Sequence, residues 1–147
     1  MLTDLYQDII VDHTRAPRNF GALAHASHHA EGHNPLCGDH LTLFLQVDAH
    51  EMIQEVHFVG SGCSISTASA SLMTESIKGK TVQQAESLFK DFHTMLTQEH
   101  AINVEKLGKL AVFEGVKAYP SRVKCATLAW HTLQAALHQD KSLVSTE

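Results

Sequence analysis

Three cysteines and one aspartate stand where a chain can present them to a cation. Cys37 and Asp39 share the turn Asn34-Pro35-Leu36-Cys37-Gly38-Asp39, Cys63 follows Gly60-Ser61-Gly62, and Cys125 follows Pro120 and Ser121. Thiolates and carboxylates are ligands for tetrahedral Zn²⁺, and a deprotonated thiol is also a nucleophile. Pro35 restricts its own φ and Gly38 admits a positive one, so this turn can aim its thiol and carboxylate at one point. Cys63 stands at a predicted helix start, where unpaired N–H groups and the macrodipole favour thiolate. Cys125 is placed in the first turn of the last helix, and the adjacent Arg122 and Lys124 are expected to draw its proton equilibrium the same way. Cys37 has Asp39 beside it instead, and two neighbouring anions call for a cation.

A zinc site built from Cys37, Asp39, Cys63 and Cys125 meets these conditions. Three thiolates and a carboxylate around Zn²⁺ leave a net charge of about −2, counting one unit per ligand, for which Arg122 and Lys124 are counter-charges. Structural zinc sites usually draw on paired C-x-x-C ligands, whereas these are scattered and one is a hard, more easily displaced oxygen. Spacing alone does not separate this site from three ordinary cysteines, buried or idle. A Cys–His hydrolase finds little support among the twelve histidines, because no cysteine is accompanied by an oxyanion-type loop and an orienting partner.

The chain has 147 residues and a formal charge of −5, with a pI near 6.1. That length suits one domain spanning 1–147, which takes about two-thirds of its surface out of water. The acidic balance argues against a nucleic-acid surface. Asp4, Asp8 and Asp12 interrupt the first apolar residues, so no signal peptide is expected, and no run is long and apolar enough for a membrane span. An odd number of cysteines without an export signal fits a reduced, cytoplasmic setting.

Positioning the four ligands requires a particular set of elements. Leu2, Leu5, Tyr6, Ile9 and Ile10 predict an amphipathic helix from about Leu2 to His13, ended by Pro17 and Gly21. Arg15 to Gly21 reads as an ordered turn with two arginines and an aromatic anchor. Leu41–Val47 alternates, and Ile53, Val56 and Phe58 continue after a turn at Asp48–Glu51, which predicts an antiparallel hairpin. Ala22 to Asn34 is expected to add an edge strand. His25, His28, His29 and His33 fall in that span; three of them would share a helical face, but Gly32 and Asn34-Pro35 oppose a helix, so they are read as ordinary surface residues. Helices are then predicted from Ser64 to Lys78, from a cap at Thr81 to about Met95, briefly over Val104–Val112, and from Arg122 to His138, with a frayed tail after it.

Taken together, these motifs resemble the U-type iron-sulfur cluster assembly proteins: IscU, the NifU N-terminal domain and SufU. The resemblance covers nearly the whole chain and rests on Leu5-Tyr6 to Ile10 with Asp12-His13, Pro17 to Gly21, Asn34 to Asp39, Gly60 to Ser66, and Lys124-Cys125-Ala126. It implies an α+β fold with a small three-stranded antiparallel sheet and helices mainly on one face. Three features resemble the SufU branch. Lys124 replaces the histidine that precedes the last cysteine in IscU, Gly115 to Arg122 replaces the Leu-Pro-Pro-Val-Lys chaperone motif, and extra sequence lies at about Gln98 to Glu114.

For that branch the resemblance implies Zn²⁺ on Cys37, Asp39, Cys63 and Cys125, and a pyridoxal-phosphate cysteine desulfurase of the SufS type as partner. It implies that a desulfurase histidine takes a zinc position and releases Cys37, which accepts persulfide sulfur. Gly38 would lend the turn freedom and Arg122 would hold charge or orient Asp39. The resemblance also implies a downstream assembly scaffold or apo-protein that would receive the sulfur. The alternatives are a scaffold for a transient 2Fe-2S cluster on the same ligands, and a structural zinc domain for protein interaction.

Overall fold

The computed structural model describes residues 2–98, 104–139 and 144–145, and the side chains of residues 2–6 and 104–105 lie outside that description. The elements run α1 (Leu2–Arg15), β1 (His28–Asn34), β2 (Asp39–Val47), β3 (Ile53–Ser61), α2 (Ser64–Ile77), α3 (Val82–Thr97), a 3-10 segment (Val104–Val116), α4 (Pro120–Leu137) and β4 (Val144–Ser145). The expected contributions of Leu2, Leu5 and Tyr6, and the part of the inserted stretch at 99–103, fall outside the described residues.

Local chemistry sets most boundaries. Cys63 is the N-cap of α2, its sulfur accepting the Ser66 N–H. Thr81 and Gln84 form a reciprocal capping box at α3, and Pro120 opens α4 where its missing N–H costs nothing. In the 3-10 segment, Gly108 takes a non-helical conformation that breaks the run into two pieces.

Strand order is β3-β2-β1-β4. The β2–β3 hairpin and the β1–β2 pair are antiparallel, but β4 lies parallel to β1 through Gly32↔Val144 and His33↔Ser145. The sheet is therefore four-stranded and mixed, not three-stranded and antiparallel, and β1 is an interior strand. Part of the expected frayed tail supplies the extra strand. Two residues are too few to leave an alternating pattern, so only the return of the chain past α4 reveals β4.

Alternation along β1 and β2 buries Ala30, Gly32 and Asn34 with Asp39, Leu41, Leu43 and Leu45, against which α4 packs. The opposite face carries exposed His29, Glu31 and His40. Helices thus cover one face, as expected. Between helices the core is aromatic, with Phe92 stacked on Trp130 at 4.8 Å and edge-on to Phe113 at 5.9 Å.

The N-terminal segment is pinned by polar contacts. His13 is 2% exposed, with Nδ1 2.6 Å from Ser71 Oγ and Nε2 3.4 Å from Glu75. Ser71 Oγ also accepts the Arg18 N–H at 2.8 Å, and Asn19 Nδ2 donates to Thr74 Oγ1 at 3.0 Å. Phe20 then bridges to Phe58, their rings 5.2 Å apart, so the expected ordered turn is anchored on both α2 and β3.

Candidate metal centre

The last register pair of β1 and β2 is Asn34↔Asp39, so the strands bury these two residues and expose the four that connect them. Gly38 takes φ +70° with nothing near a Cβ position, which makes it a conformational glycine. Cys37 is consequently exposed on the turn. Cys63 is half-buried, and Cys125 is buried in the second turn of α4, one turn further in than the sequence suggested.

These separate elements converge. Ligand atoms of Cys37, Asp39 and Cys125 all lie within 4.8 Å of one another. Cys37 and Cys125 sulfurs are 3.2 Å apart, and Cys63 joins through Asp39, its sulfur 4.0 Å from Oδ2. Zn–S bonds of about 2.3 Å in a tetrahedron place sulfurs roughly 3.8 Å apart, so the spacings suit a shared ion. A Cβ on Gly62 would stand 2.4 Å from Asp39 Oδ1. Glycine there keeps open the cradle in which the carboxylate meets the backbone. Two thiols and one carboxylate within mutual reach, with the Cys63 thiol beside the carboxylate, are ligand types that fit a borderline-soft cation.

Asp39 is completely buried and held at both oxygens. Oδ1 accepts the Cys63 backbone N–H at 2.7 Å, and Oδ2 accepts Asn34 Nδ2 at 3.1 Å. The same Asn34 nitrogen donates to Cys125 Sγ at 3.4 Å. Neither Arg122 nor Lys124 occupies these positions. Arg122 instead lies over the Tyr119 ring, 4.7 Å from its centroid, in a groove that Ile65 and Val116 also line. Lys124 is half-buried on α4. The orientation of Asp39 expected of Arg122 is therefore carried out by Asn34.

Electrostatics at Cys125 also run against expectation. Its thiol is pushed well above the usual range, first by burial and then by hydrogen bonds with Cys37, Cys63 and Asp39. Neighbouring cations in the sequence do not offset this, because the side chain points into the core and away from solvent. A bound cation would reverse the direction by favouring the thiolate.

The early histidines do not gather here. His28 contacts Ser27 Oγ at 2.8 Å, His29 is exposed, and His33 meets His40 across the strands with ring centroids 6.3 Å apart. Strand alternation sends His29 and His33 to the sheet face opposite Asn34. Asn34 itself was missed as a site residue. The local signal was an amide at the mouth of the Pro/Gly turn, but its partner Cys125 is 91 residues away.

Residues 5–126 match the family model described as the NifU-like N terminal domain. The chain is 39% identical over 140 residues to the zinc-dependent sulfurtransferase SufU of Bacillus subtilis, covering 95% of this chain and 94% of that one. It is also 39% identical over 133 residues to the iron-sulfur cluster assembly scaffold protein IscU of Thermotoga maritima, covering 90% and 92%. A crystal structure from Fervidobacterium islandicum, described as a SUF-system cluster assembly scaffold (FiSufU), superposes with a TM-score of 0.83 at 38% identity, covering 88% of this chain and 94% of that one.

Proposed function

The chain belongs to the NifU-like N-terminal domain family, and on that premise we propose that it is a zinc-dependent sulfur-transfer protein of iron-sulfur cluster assembly. The observation that carries this proposal is the contrast within the cluster: Cys37 is exposed on a turn, while Asp39 and Cys125 are buried and Cys63 caps a helix. Such a cluster can release one thiol and keep the rest.

Zinc, held by Cys37, Asp39, Cys63 and Cys125, would supply the positive charge that keeps the thiols deprotonated. Cys37 then accepts sulfur from the persulfide of a pyridoxal-phosphate cysteine desulfurase of the SufS type. Its thiolate attacks the outer sulfur, a new S–S bond forms on Cys37, the donor's S–S bond breaks, and the electron pair leaves with the donor cysteine thiolate. No net oxidation occurs. Gly38 gives the turn the freedom to present Cys37, and the exposed Leu36 beside it leaves the approach open to a protein partner.

The test is metal analysis followed by sulfur loading. Freshly purified protein is expected to hold one zinc per chain, to raise desulfurase turnover, and to gain one sulfur on Cys37 by mass mapping. Cys37→Ser should accept none. Full acceptance by metal-free protein would remove zinc from the proposal, and acceptance by Cys37→Ser would remove Cys37. The scaffold reading keeps one specific support, the likeness to a protein named as an IscU scaffold. Anaerobic reconstitution of a stable 2Fe-2S cluster that transfers intact to an apo-protein would favour it.

A further inference from the structure

We infer that Asn34 is a positioning residue of the metal centre, whose one amide group ties Asp39 to Cys125 and thereby sets Cys37 as the thiol that leaves. The inference rests on the metal-dependent reading above and deepens it. Asn34 is 0% exposed, and its Nδ2 donates to both Asp39 Oδ2, at 3.1 Å, and Cys125 Sγ, at 3.4 Å. Among the described residues, its buried Oδ1 has no hydrogen-bond partner. Turning the amide over would satisfy nothing and would place that oxygen against a carboxylate and a sulfur, so the NH₂ end must face the ligands. A residue with only a packing role has no use for this arrangement.

The ligands receive unequal support. Asp39 takes the Cys63 N–H and the Asn34 amide, Cys63 takes the Ser66 N–H at 3.4 Å, and Cys125 takes the Asn34 amide. Among the described residues, no N–H donates to Cys37 Sγ, whose hydrogen-bond contact is with the Cys125 thiol at 3.2 Å. An N–H donor stabilises a thiolate and fixes its direction, and it lowers the electron density available for attack. The sulfur without one is the most nucleophilic and the least held. Because an amide does not titrate, Asn34 keeps donating to Asp39 and Cys125 when Cys37 is gone.

The test uses the zinc-loaded full chain without any desulfurase. Thiols are alkylated with limiting iodoacetamide and mapped by mass spectrometry over time, zinc affinity is measured by chelator competition, and the cobalt-substituted protein is examined by absorption. In the native chain Cys37 is expected to label first and Cys125 last. In Asn34→Ala and in Asn34→Leu, which keeps the branched shape without the amide, zinc affinity is expected to fall by roughly 10- to 100-fold, the cobalt bands to shift, and the protection of Cys125 relative to Cys37 to shrink. Unchanged affinity, bands and labelling order in a variant with a native circular dichroism spectrum overturn the inference alone. A native chain that holds no zinc overturns both this inference and the reading beneath it. Should neither variant fold, the ¹¹³Cd-loaded native protein decides by NMR: coupling between the metal and the Asn34 amide protons supports the role, and amide resonances that ignore metal removal overturn it.

Discussion

The β1–β2 turn, on one side, and the N-cap of α2 with the second turn of α4, on the other, hold the same functional group under opposite conditions. Cys37 projects from an exposed turn whose Gly38 has a positive φ and open space around it. Cys63 is fixed as a helix cap, and Cys125 is enclosed by core residues on α4. Helix backbone restrains two thiols at no extra cost, since their positions are set by the same packing that forms the core. The turn's own backbone restrains its thiol through Pro35 and the Asn34↔Asp39 pair at its base. One half of the site is therefore part of the fold, and the other half is a movable group mounted on it.

The largest expected effect separates the two halves directly. Cys125→Ser should weaken zinc binding by on the order of 3 kcal/mol, about one quarter of a structural zinc site's binding free energy. Cys37→Ser should abolish sulfur acceptance with a smaller loss of zinc. Calorimetric zinc titration and mass mapping after desulfurase treatment measure both, and equal behaviour of the two variants would dissolve the distinction.

Next comes the cradle. Gly62→Ala forces a Cβ to within 2.4 Å of Asp39 Oδ1 unless something moves, and overpacking of this kind costs about 1–3 kcal/mol. Because the atom displaced is a ligand's, zinc affinity should drop and the cobalt spectrum should change, while an untouched spectrum would show that the carboxylate does not need its present seat. Gly38→Ala acts on the movable half. No atom obstructs its Cβ, so the penalty is the left-handed backbone alone, about 1 kcal/mol. Slower sulfur transfer with normal zinc content is the expected result, read by quench-flow sulfur loading.

The smallest effect lies outside both halves. His13 is held below the usual histidine range, by burial first and then by the Arg18 charge, with Glu75 opposing. His131 is shifted the same way by burial and by His93. The unfolded chain therefore binds more protons than the folded one below the ordinary value of 6.5. Stability from the neutral imidazoles is complete above that value and is lost as pH falls toward the folded ones. Melting of metal-free protein should drop between neutral pH and about pH 5.5, and His13→Gln should reduce that slope.

Much of the architecture was legible because it is local. The helix-start Cys63, the Thr81 cap, Pro120 and the alternation of β2 each declare an element within a few residues. The turn chemistry around Cys37 and Asp39 is likewise contained in six positions. What was misread depends on distance. Cys125 beside Arg122 and Lys124 suggested an easily ionised thiol, yet burial outweighs sequence neighbours whose side chains point elsewhere. Arg122 looked like the partner of Asp39 because charge is visible in a sequence; the actual partner is a neutral amide on β1.

The sequence by itself determined which groups can do chemistry: three thiols, a carboxylate, and a proline and glycine that shape one turn. It also determined the helices and strands that carry them, since periodicity and caps act between near neighbours. Only the tertiary structure decided how those groups differ from one another. Exposure of Cys37, burial of Cys125, the Asn34 bridge and the parallel β4 all arise where segments distant in the chain meet, and both desolvation and hydrogen bonding depend on which atoms are close in space.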